Sequence, residues 1–210
     1  MKQQGREIKR VYQKLFLLFC VLISSCVAIQ LSGGNDWASL IPERINSGQW
    51  WRLIFAHLTH INWQHLVMNM TGAALCLAVF REDVTPTHWL YSSLFLSLFS
   101  STLLYLSYAP QQSYVGFSDV LHGWIGIGIL AMLPKETRLA STMLILLLAK
   151  IIHENYFQTP ANALLDGSRV ATESHLFGCL GAGVFSLSFN AELRKFLVGL
   201  FNRQKKSDAP

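Results

Sequence analysis

Four side chains in this 210-residue sequence carry groups able to make and break an acyl bond: Ser118, His175, His65 and Asn69. A serine hydroxyl is a weak nucleophile until a base takes its proton, and a neutral imidazole is the usual base. The oxyanion that then develops needs fixed donors, which Asn and His side chains and an N–H at a helix N-terminus can supply. His65 and Asn69 are four residues apart, one turn apart on one face of a helix. Gly116 sits two residues before Ser118, where a residue without a side chain lets the backbone approach a substrate. A Ser–His hydrolase is one reading of these residues. Metal chemistry is less well supported, because His153-Glu154 has Phe157 where a zinc-protease helix would place its second histidine. No metal or organic cofactor is expected.

These groups must be positioned by elements suited to lipid. Hydrophobic residues make up 51% of the chain and charged residues only 14%, against about 25% charged in soluble domains. The net charge of +5 does not indicate nucleic acid, since the basic residues lie between apolar blocks rather than along one face. Cys20, Cys26, Cys76 and Cys179 sit within apolar runs without Cys-x-x-Cys spacing and read as packing residues. A transmembrane helix needs about 20 residues, because each adds about 1.5 Å and the hydrocarbon core is about 30 Å thick. Six segments approach that length: Leu15 to Leu31, Trp63 to Phe80, Trp89 to Tyr108, Phe117 to Leu133, Leu139 to Phe157 and Ser174 to Phe189. The predicted fold is all-α, a polytopic six-helix membrane domain over 15–189, with a basic N-terminus at 1–14 and a solvated basic tail at 190–210. The alternative for the first segment, a lipoprotein-type signal ending near Cys26, fits poorly with five further spans that keep the same charge rule.

Basic residues gather on the cytoplasmic side of short loops. With both termini inside, that side collects Lys2, Arg6, Lys9, Arg10, Lys14, Arg81, Lys135, Arg138, Arg194, Lys195, Arg203, Lys205 and Lys206. The other side holds Arg44, Arg52 and Arg169. This orientation puts Ser118 and His175 near the outer ends of their spans, with His65 and Asn69 at comparable depth.

Gly116-Phe117-Ser118 opening the fourth span and Ser174-His175-Leu176-Phe177-Gly178 in the sixth resemble the rhomboid intramembrane serine proteases. So do Trp51-Arg52 in the long first loop and His65-Leu66-Val67-Met68-Asn69 in the second span. The motifs run in order from about residue 48 to 183, which is far more specific than a lone Gly-x-Ser. The resemblance implies that Ser118 is the nucleophile and His175 its base, a dyad without an acidic member. It implies an oxyanion hole made of His65, Asn69 and the Ser118 amide. Gly178 matches a glycine that lets the sixth span pack on the fourth, Ala182 takes the next small position, and Trp51 and Arg52 match a structural signature of the loop. His122, where many rhomboids have a tyrosine stacked on the imidazole, is followed by Gly123 and looks like the bacterial rhombosortases, as do the small size and six-span plan. Such enzymes cleave C-terminal Gly-Gly anchor segments of exported proteins. The implied partners are therefore membrane-anchored substrates in the bacterial inner membrane, with the site towards the periplasm and no nucleic acid.

Asp119 departs from the small residue usual after the serine; it is expected to complement the positive end of the helix while turning its charge to water. It is also the feature that favours a catalytically silent, client-binding rhomboid relative. Lys150 and Glu154 are the only support for a transporter; His153 and Glu154 read as solvated and Lys150 as facing a partner or a cavity, none with a catalytic role. Glu173 reads as a first-turn acid, and His57 and His60 as interfacial loop residues. Trp37, Trp50, Trp51, Trp63 and Trp89 read as interface anchors. Gly126, Gly128, Gly181 and Gly183 read as close helix contacts.

Overall fold

The computed structural model describes residues 2–157 and 171–207; Arg169 and the last residues of the predicted tail lie outside these. The described residues form helices α1 (Lys2–Leu31), α2 (Gly34–Trp37), α3 (Pro42–Asn46), α4 (Arg52–Phe55), α5 (Trp63–Val79), α6 (Pro86–Ser107), α7 (Ser118–Met132), α8 (Thr137–Phe157), α9 (Thr172–Phe189) and α10 (Ala191–Ser207). No strand forms among them, and Leu40 and Tyr114 make one isolated antiparallel bridge. Starts are set by local chemistry: the Asn62 side chain accepts from the His65 N–H at the head of α5, and Thr85 accepts from His88 N–H at α6, with Pro86 at its first turn.

Each predicted apolar segment coincides with one of six helices, running at most one residue past its ends, but the six are unequal as membrane spans. Gly5–Leu31 and Pro86–Ser107 are long and apolar enough to cross alone; α9 and α10 pass together as a pair bent by 90°. At about 1.5 Å per residue, the 17 residues of α5 and 15 of α7 give about 26 and 22 Å, short of a 30 Å core. The basic termini are helical. α1 runs unbroken through residues 2–14, and the tail is a helix exposing Leu197, Val198, Leu200 and Phe201 beside its charges.

Burial is inverted relative to a water-soluble bundle. Phe16 and Leu106 are 70% and 72% exposed, while His57, Ser92, Ser100 and Asp119 are 0% exposed. An apolar exterior around a polar interior is what a lipid solvent selects. The centre of the bundle is α7, which packs against α5, α6, α8 and α9. Gly126 meets Ala182 of α9 and Gly128 meets the Phe80 ring, whereas a Cβ on Gly183 would meet nothing within 4 Å among the described residues. Trp89 is fully buried against Trp124, ring centroids 4.9 Å apart, and so belongs to the core rather than to an interface belt.

The first loop is a folded element. The Arg52 guanidinium is buried and donates to Ser39 O at 2.6 Å, Asp36 O at 3.1 Å and Gln49 Oε1 at 2.8 Å, which holds α2 to α4 as one unit. The Trp51 indole donates to Trp37 O at 3.0 Å. Two contacts then fasten this unit to the strip before α7: the Leu40–Tyr114 bridge, and Gly116 N–H donating to Ala56 O at 2.9 Å.

Candidate active site

Ser118 is the first residue of α7, so its amide belongs to the N–H groups that have no acceptor within the helix. Gly116 before it has φ 124°, a conformation that side chains rarely tolerate. A Cβ there would stand 2.7 Å from His65 Cε1, 3.1 Å from His65 Nε2 and 3.8 Å from Asn69 Nδ2. The strip entering α7 therefore lies directly on the polar face of α5. Among the described residues His65 Nδ1 and Asn69 Nδ2 are buried without a hydrogen-bond partner, so their capacity is uncommitted on the face of α5 that Gly116 covers. Uncommitted buried donors cost free energy unless something accepts from them, and a developing oxyanion is such an acceptor.

His175 comes from the first turns of α9. Its Nε2 lies 3.1 Å from Ser118 Oγ, and its ring stacks on His122 with centroids 4.0 Å apart and planes 18° from parallel. The spacing is set one turn later: a Cβ on Gly178 would collide with the Asp119 carbonyl and come 3.2 Å from Gly123 N, so α9 rests on α7 at backbone contact. Every predicted site residue is thus placed in or around one cluster, with Trp51 and Arg52 supporting it through the loop.

Several expectations change. His175 does not stand without an acid: its Nδ1 is 3.1 Å from Glu154 Oε2 of α8. Glu154, read from sequence as a solvated end, also accepts from Lys150 Nζ at 2.6 Å, and Lys150 Nζ reaches His122 Nε2 at 2.9 Å. The signal was the i, i+4 spacing of Lys150 and Glu154, but hydropathy gives depth along a span and not the face that looks inward. Asp119 does not turn to water. It is 0% exposed, accepts from Val120 N–H at 2.7 Å and pairs with His57 Nδ1 at 3.0 Å. His57 in turn is buried in the bundle, with Nε2 2.8 Å from Ser101 Oγ, rather than at an interface. His60 is likewise fully buried, edge-on to His65 at 5.1 Å, and burial followed by the nearby His65 pushes its pKa down to about 3. Glu173 accepts from Tyr108 O–H at 3.1 Å.

His122, Glu154 and His175 offer three ligand atoms within 4.8 Å of one another, a grouping that could hold a cation. The Lys150 ammonium already bonds two of the three residues, and supplies the positive charge that such a group of donors attracts.

Residues 47–191 match the family model described as the Rhomboid domain. The chain is also similar to the Bacillus subtilis (strain 168) protein named "Putative rhomboid protease YdcA", 24% identical over 148 residues that cover 69% of each chain.

Proposed function

The chain belongs to the rhomboid family, and on that premise we propose that it is a rhombosortase-type intramembrane serine endopeptidase acting on C-terminal Gly-Gly anchor segments of exported proteins. The observation that carries the reading is the 3.1 Å approach of His175 Nε2 to Ser118 Oγ at the head of α7. As the hydroxyl attacks a peptide carbonyl, its proton passes to His175 Nε2, and the imidazolium then gives it to the departing amine. Water, activated by the same imidazole, releases the acyl group from Ser118. The Ser118 amide, His65 and Asn69 stabilise the oxyanion. α1, α5, α6, α7, α8 and α9 are the six spans, with both termini cytoplasmic in the inner membrane and the site towards the periplasm. The shortness of α5 and α7 is accommodated by local thinning of the bilayer.

His122 followed by Gly123 supports the rhombosortase assignment. The feature that favoured a silent client-binder was Asp119 as a block, and its carboxylate is engaged by His57 rather than His175. The test is cleavage of an exported reporter bearing a C-terminal Gly-Gly anchor segment, with Ser118→Ala and His175→Ala beside the parent. Processing by the parent and none by either variant is expected. Cleavage of other rhomboid anchors but not the Gly-Gly one would keep the protease and remove the sorting role.

A further inference from the structure

We infer that Glu154 and Lys150 of α8 are positioning residues that fix which nitrogen of His175 carries the proton, an inference that rests on the proposed Ser118–His175 chemistry. Three contacts make the case, taken in order from the fixed end. The Ser118 carbonyl can only accept, so the His122 Nδ1 lying 2.6 Å from it carries a hydrogen. His122 Nε2 is then a bare lone pair, and it accepts from Lys150 Nζ at 2.9 Å. With its ammonium held there, Lys150 donates to Glu154 Oε1 at 2.6 Å and leaves Oε2 to accept from His175 Nδ1–H at 3.1 Å. The proton on Nδ1 leaves Nε2 bare towards Ser118 Oγ, the form needed to take the hydroxyl proton. When Nε2 takes it, the carboxylate faces the new imidazolium and Lys150 offsets the carboxylate's charge before that moment.

The relay closes on itself, because His122 both anchors Lys150 and stacks on the ring that Lys150 indirectly orients. The charged and titratable groups around His175 are His65 from α5, His122 from α7, and Lys150 and Glu154 from α8, with Glu173 two residues before it on α9. Among these only Glu154 is bonded to Nδ1 in the described residues.

The direction of the relay yields a test that a merely structural role would not pass. In Glu154→Gln the amide oxygen is drawn to the Lys150 ammonium, so the amide NH2 faces His175 Nδ1 and forces the ring proton onto Nε2, towards Ser118. Lys150→Met removes that bias and lets the amide turn its oxygen to Nδ1. The purified full-length protein is labelled with a fluorophosphonate, and the ring nitrogens of 15N-histidine protein are followed by NMR. Glu154→Gln is expected to slow labelling on the order of 100-fold or more with unchanged melting temperature, since general-base action is worth about 10² to 10⁴. The double variant Glu154→Gln/Lys150→Met is expected to label faster than Glu154→Gln alone, and the parent His175 to show its proton on Nδ1. Labelling of Glu154→Gln within twofold of the parent overturns the inference, as does a parent His175 protonated on Nε2. A parent that fails to label but holds the Nδ1 proton removes the protease reading and leaves the relay standing.

Discussion

Two Ser–His–carboxylate chains meet on α7, and their geometry is nearly the same. In one, Ser118 Oγ, His175 and Glu154 are joined by contacts of 3.1 and 3.1 Å; in the other, Ser101 Oγ, His57 and Asp119 are joined by 2.8 and 3.0 Å. What separates them is where the hydroxyl hydrogen goes and whether water arrives. Ser101 donates its hydrogen to Leu53 O at 2.6 Å, and His57, Ser101 and Asp119 are all 0% exposed. That serine has spent its proton on the backbone, and no substrate reaches it. Its chain of bonds instead ties α4, α6 and α7 together beneath the first loop. Ser118 stands at a helix start two residues after Gly116, which lies against His65 and Asn69, and the Glu154 side chain of its chain is 20% exposed. A catalytic triad is therefore not recognised by distances alone, because the same distances also build a strut.

The difference can be broken from the structural side first. Asp119→Ala leaves the buried His57 Nδ1 without its carboxylate, and loss of one partner of such a buried pair costs about 3 to 5 kcal/mol. A fall in thermal unfolding midpoint in detergent is expected, far beyond the small dipole loss that a solvent-facing carboxylate would have produced. An unchanged midpoint would mean that His57 does not depend on Asp119.

On the other side of the comparison, Asn69→Ala should spare folding and lower turnover about 100- to 1,000-fold, the usual loss for one oxyanion donor. KM should hold, since the bond forms mainly in the transition state. Equal turnover would remove Asn69 from the hole.

Ser101→Ala sharpens the contrast between the two serines. It strands a buried His57 nitrogen and the Leu53 carbonyl, for a stability loss of about 1 to 3 kcal/mol, while the labelling rate of Ser118 stays at the parent's level. A large loss of labelling in a protein of normal stability would make the two chains functionally linked.

The smallest effect concerns acid. Folding holds the His60 pKa at about 3, with burial the main cause and His65 next, against about 6.5 when unfolded. Because the unfolded chain binds the extra proton between these values, stability is fully present above pH 6.5 and falls as pH drops below it. The expected cost at pH 5.5 is about 1.4 kcal/mol. His60→Asn should flatten the dependence of unfolding midpoint on pH over that window, and a profile as steep as the parent's would assign the acid sensitivity elsewhere.

Much of the first chain is legible from sequence and almost none of the second. The six helical segments follow from apolar runs, and Ser118, His175, His65 and Asn69 stand out as polar groups within those runs whose roles the rhomboid-like motifs imply. Glu154 lies 21 residues from His175 and Asp119 lies 62 from His57. Those partnerships are made by helix rotation and by the fold of the first loop, neither of which hydropathy encodes. Asp119 is misjudged for the same reason: its depth at the helix start is correct, but its face points inward. The tail helix was open to detection, since Leu193, Leu197 and Leu200 recur at helical spacing, but the charges between them read as solvated.

The most direct test of which serine is chemically alive is site mapping. The full-length protein in detergent is labelled with a fluorophosphonate, digested, and the modified residue read by mass spectrometry. Modification at Ser118, lost in His175→Ala and retained in Ser101→Ala, is the expected result. Modification at Ser101, or at neither serine in folded protein, would contradict the assignment of the open chain as the catalytic one.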